Sequence, residues 1–352
     1  MSHRSRIRAQ RRRLAALHFT LLDRLFQNAD HSLGAILRLE RFSRSVHGAQ
    51  DRGFHPDAHR TLHPDFLDTA IEMLRRRGYD IMSLDDLRKR LRQAKPSDGR
   101  MVAIVVEGAD TSFSEFGLPV LRHHAVPFTL FAPTGFMERA ADPWRDYVRV
   151  LVGRQSQLVL ATQDGPVRFA CGSVEEKYRA YTALVEFFEN LDGRQLQQQV
   201  RELCWLYKID LDDIQAESLM TWADYREVSA LDICTPGNAG VDGRAIATLS
   251  DGEVRAQFDQ AGSVIEAETG VRPASVLYPH STKGTSDTVA KIAKRLRLKV
   301  GITLRPGVIR ASNSASAMAL PSLRLNGNFQ RRRYLGPVLS GLPATLPRIF
   351  DT

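Results

Sequence analysis

The stretch "MVAIVVEGADTSFSEFGLPVLRHHAVPFTLFAPTGF", residues 101–136, decides the fold. Its first six residues are an apolar, β-branched run, and a second run, "FTLFA", follows about twenty residues later. The segment between them, around "EFGLPVLRHH", has the spacing of a helix. Strand, helix and strand of this length make a βαβ unit, whose parallel strands are buried on both faces and therefore read as continuous apolar runs. Glu107 falls where the first strand should end, and the carboxyl ends of parallel strands are where α/β enzymes keep their reactive groups.

The same rhythm extends in both directions. Upstream, "LGAILRLE" (33–40) reads as a buried strand, followed by a polar His- and Pro-rich loop. A helix with Asp65 as its cap then runs to a stop at Gly78, and a short strand "DIMSL" leads into another helix. Downstream, 145–218 is mostly helical in pattern, with "QLVLAT" and "PVRFAC" as a hairpin, and reads as an inserted helical subdomain. Alternation returns with a helix at "MTWADYREVSAL", a weak strand before "CTPGNAG", a long helix to Gly270, a strand "ASVLYP", a helix and a strand "KVGITL". About seven β/α units without a G-x-G-x-x-G predict an α/β fold of the deformed (β/α) barrel kind rather than an open dinucleotide-binding sheet.

At 352 residues with 43% hydrophobic content the chain can bury a large core. Cys171, Cys204 and Cys234 form no C-x-x-C, leave an odd thiol in any pairing, and read as reduced. The net charge is +9, but outside the first thirteen residues the arginines come in short clusters on helix faces, so no nucleic-acid partner is expected. Residues 1–30 read as a basic amphipathic helix, with Leu14, Leu17, Leu21, Leu22, Leu25 and Phe26 on one face. It either docks on its own domain or makes peripheral contact with a membrane. No run of about 18 apolar residues is present and no secretory signal is expected, which points to the cytoplasm.

Several segments in the same order resemble the polysaccharide deacetylase family, and among them the nodulation-type chitooligosaccharide deacetylases. They are "LHPDFLDTAIEMLRRRGYDIMSLDDL", "GLPVLRHHAVPFTLFAPTGF", "MTWADYREVSAL", "LSDGEVRAQFDQAGSVIEAETG", "LYP", "LRPGV" and "LPSLRLNGNFQRRRYL". The resemblance covers most of residues 33–340 and implies a deformed barrel over 31–350, interrupted at about 145–218, with a groove at the carboxyl ends of its strands. It also implies a hydrolase that removes acetyl groups from a saccharide with a divalent metal, usually zinc, held by one Asp and two His. Such a metal polarises the carbonyl and lowers the pKa of a bound water, while a second Asp takes the proton.

This sequence departs from the family at each of those positions. In "VVEGAD", Glu107 stands where the base is expected and Gly108 where the metal-binding Asp is expected. In "TPGNAGVDG", Ala239 and Gly243 stand for the two histidines. Glu40 replaces the histidine of a Phe-His-Arg motif, Ala274 the arginine that orients the base, and His280 an aromatic residue after "YP". Asn326, in "RLNGNF", takes the place of the acid histidine. No cofactor is therefore expected. Glu40, Asp110, Trp144, His280 and Asn326 are the groove candidates, with Asp242 as a further polar group and Glu107 as the degenerate base.

Each candidate also has a plainer reading: Glu107 as a solvated strand-end acid, Asp110 as a cap, Asp242 as a turn residue, His280 as a loop histidine, Trp144 as packing. His55, His59 and His63, at spacing four, would suit a metal only on a helix, which Pro56 and Pro64 oppose. The expected function is that of a deacetylase-like protein without the metal-dependent reaction, acting as a carbohydrate-binding or regulatory module. The alternative is an active hydrolase rebuilt around Glu107. A saccharide or glycolipid is the expected partner, a nucleotide- or lipid-linked one fits a cytoplasmic protein best, and the oligomeric state is left open.

Overall fold

The computed structural model describes residues 3–19, 32–45, 53–93, 100–162, 165–191 and 193–339. Among them the main sheet has nine strands. Its path runs Val300–Ile302, Ser275–Leu277, Cys234–Asn238, Phe128–Ala132, Arg100–Glu107 and Ser32–Leu39, and every neighbouring pair in this series is parallel. Ile309–Arg310 pairs antiparallel to the start of Ser32–Leu39, and Tyr79–Ile81 lies parallel to the start of Arg100–Glu107.

The two ends of the path are joined by one segment, which makes the sheet a deformed barrel. Leu320 bridges Ile302, its N–H donating to the Gly301 carbonyl at 2.8 Å and its carbonyl accepting from the Thr303 N–H at 2.8 Å. Three residues on, Leu323–Arg324 lies parallel to Ser32–Leu39, with Leu37 opposite Leu323 and Arg38 opposite Arg324. Closing the sheet in this way removes an open edge whose N–H and C=O groups would otherwise need partners.

The period-2 pleat of each strand sends alternate residues to two different cores. Leu37, Leu39, Val102, Ile104, Val106, Phe128 and Leu130 face the helices, notably Phe66, Leu67, Ile71 and Leu74 of helix Pro64–Arg76. Ile36, Met101, Ala103, Val105, Phe131, Ala239, Leu277 and Ile302 make the other cluster, the barrel interior. The interior phase continues upward as Arg38 and Glu40 after Ile36, and as Glu107 after Val105. The alternation that packs the barrel thus delivers charged side chains to its mouth.

Residues 144–218 gather a cluster of their own. Helices Trp144–Arg154, Val174–Glu189 and Gly193–Leu206 bury Tyr147, Leu151, Leu184, Phe188 and Leu203 against the hairpin Gln157–Thr162 and Gly165–Ala170. The sequence predicts both the helices and the hairpin.

Other elements differ from expectation. The strand expected before "CTPGNAG" is Cys234–Asn238 itself. It carries no β-branched run because Gly237 lies against Phe131, where a Cβ would stand 2.4 Å from the ring. Pro236 is tolerated because this strand meets Ser275–Leu277 at Asn238, which asks for no donor at 236. The cap of Pro64–Arg76 is His63, whose ring accepts from the Asp65 N–H at 3.2 Å with Pro64 in the first turn, so Asp65 is a first-turn acid and not the cap. The helix after Glu107 starts as a π-helical turn, Phe113–Gly117, before Leu118–His123.

At the N-terminus, helix His3–Phe19 docks by Leu14 against Phe329 and Tyr334, while Arg11 Nε donates to the Asn328 carbonyl at 2.9 Å. Leu21, Leu22, Leu25 and Phe26 lie outside the described residues. Among the described residues no helix is long and apolar enough to cross a membrane.

Candidate functional site

The carboxyl ends of the strands surround a cavity of about 330 Å³. Glu40, Glu107, Gly108, Asp110, Trp144, Ala239, Asp242, Gly243 and His280 all line it, so nearly every groove candidate read from the sequence arrives at one place. Asn326 does not: its side-chain oxygen accepts from the Asn328 N–H at 2.8 Å and caps a short turn.

What fills the mouth is a lattice of arginines and carboxylates. Glu40 is buried, with its side chain 1% exposed, and pairs with Arg60 through one oxygen and with Arg324 Nε at 2.5 Å through the other. Burial alone would raise its pKa, but Arg60, Arg324 and Arg38 together hold the carboxyl well below the usual carboxylate range. Glu107 accepts from Arg38 Nη1 at 2.8 Å. On the other side Arg41 holds Asp146 through two bonds of 2.6 and 2.5 Å, Asp110 at 2.9 Å and Asp57 at 3.6 Å. Burial opposes ionisation of Asp146, yet Arg41 and Arg149 keep its carboxyl at about 2. Asp110 also accepts from the Ser112 N–H at 3.0 Å, the capping role that its position suggested. Asp142 receives Arg201 through bonds of 2.6 and 2.9 Å. Asp242 receives Arg244 Nε at 2.8 Å and Gln257 Nε2 at 3.0 Å.

These partners were the residues that sequence reasoning missed. Acids and histidines draw attention at strand ends and bases do not, although Arg324 ends its strand as Glu107 does and Arg38 is the last residue but one of its own. Arg60, from the loop before Thr61–Leu62, carried no comparable sign. Two histidines sit among these cations. His59, half-buried, has its Nδ1 3.0 Å from the Pro56 carbonyl; burial, Arg324 and Arg60 push its pKa down to about 4. His280 opens onto the cleft in a left-handed backbone conformation, φ 54°. The residue is exposed to solvent, and the cleft walls around it with Arg145 and Arg60 push its pKa below the usual histidine value. Trp144 is half-buried; Arg145 covers one face of its ring at 4.4 Å and Phe188 meets it edge-on at 6.1 Å.

The mouth does not fit a divalent metal. Gly108 and Gly243 have no side-chain donor and Ala239 has only a methyl group, while Glu40, Glu107, Asp110 and Asp242, which line the same cavity, are already engaged by guanidinium groups. Among the described residues no three His, Cys, Asp or Glu side chains converge in a way that would hold a cation. Gly108 moreover has φ 105°, a conformation that an aspartate rarely adopts.

No family model and no curated protein matches this chain. Solved structures do. The deacetylase PplD of Streptococcus pyogenes, solved in complex with acetate, matches at 13% identity over 84% of this chain and 93% of its own, with a TM-score of 0.53. IcaB from Ammonifex degensii matches at 13% identity over 89% and 97%, with a TM-score of 0.52. BC0361, a polysaccharide deacetylase from Bacillus cereus, matches at 10% identity over 86% and 68%, with a TM-score of 0.49. At such identities the likeness is one of fold: the chain has the barrel fold of the polysaccharide deacetylases.

Proposed function

We propose that this protein is a polysaccharide deacetylase-like barrel that has given up metal-dependent deacetylation and uses its cleft to bind a saccharide, as a binding or regulatory module. One observation carries the reading: the three positions that would hold the metal are Gly108, Ala239 and Gly243, while the carboxylates around them are ion-paired with arginine. A general base must be within reach of the proton it takes and able to accept it. Glu107, on which an active-hydrolase reading depends, holds Arg38 at 2.8 Å through one oxygen, a pairing that would also suit an oriented base, so the missing metal donors carry the reading. The barrel fold is shared with a deacetylase solved with acetate, which makes acetylated saccharides the ligands to test first.

The test is metal analysis of protein purified without chelator, together with acetate release from acetylated chitooligosaccharides and calorimetric binding of the same oligomers. Little bound zinc and no acetate, with measurable binding, is the expected result. Stoichiometric zinc with turnover would overturn it, and turnover lost in Glu107→Gln would restore the active-hydrolase reading.

A further inference from the structure

The cleft is electrically polarised, and its positive end has donors to spare. At that end Arg38, Arg60, Arg145 and Arg324 stand against Glu40, Glu107 and Glu189, while Asp57, which also acts on Arg60, is turned to Arg41 and Arg149 on the next wall. Glu189 is the weakest counterweight, since its side chain is 48% exposed. Arg60 donates Nε to the buried Glu40, Arg324 Nε forms an ion pair with the other oxygen of that carboxylate without a hydrogen bond, and both arginines line the cavity. Among the described residues neither has a hydrogen-bond partner on its two terminal nitrogens. Glu40 thus clamps two guanidinium groups side by side in the wall, with Arg145 held nearby over Trp144. Rigid, paired guanidinium groups are the usual device for gripping a carboxylate or phosphate, because each presents two parallel N–H bonds of fixed geometry.

The neighbouring imidazoles register the imbalance. At His59 the lowering influence of Arg324 and Arg60 exceeds the raising influence of Glu40, and at His280 that of Arg145 and Arg60 does so. Arg145 and Arg324 are themselves pushed below their ordinary value, first by burial and then, against the acids beside them, by neighbouring arginines. An anion arriving here would relieve that repulsion.

We propose that this end of the cleft receives the oxyanion of an acidic saccharide, a carboxylate or a phosphate, between Arg60, Arg324 and Arg145. This rests on the reading of the cleft as a saccharide site and specifies its ligand class. On the remaining walls Asp142 and Asp242 are each held by an arginine outside the lining, and Asp110 and Asp146 by Arg41, which leaves acceptors for sugar hydroxyls; the cavity, at the small end of the roughly 300–1,000 Å³ typical of ligand pockets, suits a short saccharide.

Calorimetry with tetragalacturonate, glucose 6-phosphate and chitotetraose tests this, in wild type, Arg324→Gln and Thr282→Glu. Thr282 is exposed and lines the cavity, so a carboxylate there repels an anion without removing any partner of the buried lattice. At least one acidic ligand should bind more tightly than chitotetraose, more weakly as salt rises, and on the order of tenfold more weakly in both variants. Which acid binds tells carboxylate from phosphate. Chitotetraose binding as tightly as the acids, or acid binding untouched by Thr282→Glu, would overturn the anion assignment and leave the saccharide site standing. Failure of all three ligands to bind would remove the saccharide reading and this inference together.

Discussion

Glu40 and Arg41 are consecutive residues at the end of the strand Ser32–Leu39, and they anchor opposite electrostatic clusters. Glu40 is one carboxylate among arginines, paired with Arg60 and Arg324 and stabilised further by Arg38. Arg41 is one guanidinium among carboxylates, paired with Asp57, Asp110 and Asp146. Successive side chains of an extended chain point to opposite sides, so neighbours in sequence serve different walls. The loop before Thr61–Leu62 ties the walls together, giving Asp57 to one cluster and Arg60 to the other. What differs is access to water. The partners of Arg41 are buried, at 8 to 12% exposure, whereas Arg60 and Arg324 are each 29% exposed. The first cluster, two guanidinium groups among three carboxylates, has those carboxylates closed off from water, and the second keeps a side open to a ligand.

The widest gap between the two should appear on removing each anchor. Arg41→Ala strands buried carboxylates and is expected to cost about 3–5 kcal/mol in urea unfolding. Glu40→Gln leaves arginines that water can reach and should cost less, about 2 kcal/mol. An equal loss from both would erase the distinction between a closed cluster and an open one.

Acid titration sharpens the same contrast. His59 titrates near 6.5 in an unfolded chain and at about 4 in the folded one. Between those values the unfolded chain binds more protons, so the contribution of His59 is fully present above 6.5 and is lost as pH falls toward 4. The loss should be on the order of 2 kcal/mol, after allowing for the partial exposure of the ring, and His59→Asn should flatten that part of the stability profile. The clusters outlast it, since Asp146 stays ionised down to about 2. A profile flat from neutrality to pH 4 in the wild type would mean that burial and the neighbouring arginines together do not hold His59 neutral.

The smallest effect is expected at Gly108, between Glu107 and Asp110. No atom stands within 4 Å of an added Cβ, so Gly108→Ala meets no clash, but φ 105° makes it strained. About 1 kcal/mol of lost stability, read from the shift of the unfolding midpoint, is the expected outcome. No loss at all would show that the backbone there relaxes freely and that the glycine is no barrier to regaining an aspartate.

The barrel was legible in the sequence because strands buried on both faces must be continuously apolar and helices between them must be amphipathic. "MVAIVV" and "FTLFA" have no other economical reading. "CTPGN" hid its strand because a close approach to Phe131 outweighs β propensity there, and the two-residue strands Ile309–Arg310 and Leu323–Arg324 are too short to show a pattern. The meeting of Glu40, Glu107, Asp110, Trp144 and His280 at one mouth was likewise foreseeable, because parallel strands end on the same side. The departures at Gly108, Ala239 and Gly243 could be read from residue type alone, as a side chain without a donor holds no metal in any fold.

Tertiary structure alone decided what the remaining charges do. Glu40 meets Arg60 and Arg324, and Arg41 meets Asp146, across separations of up to 284 positions, the distance from Glu40 to Arg324. No local pattern encodes such a pairing; it exists because closing the barrel sets Arg324 beside Arg38. Sequence determined which groups reach the mouth. Packing determined which carboxylates are neutralised there and which guanidinium edges are left facing the cleft.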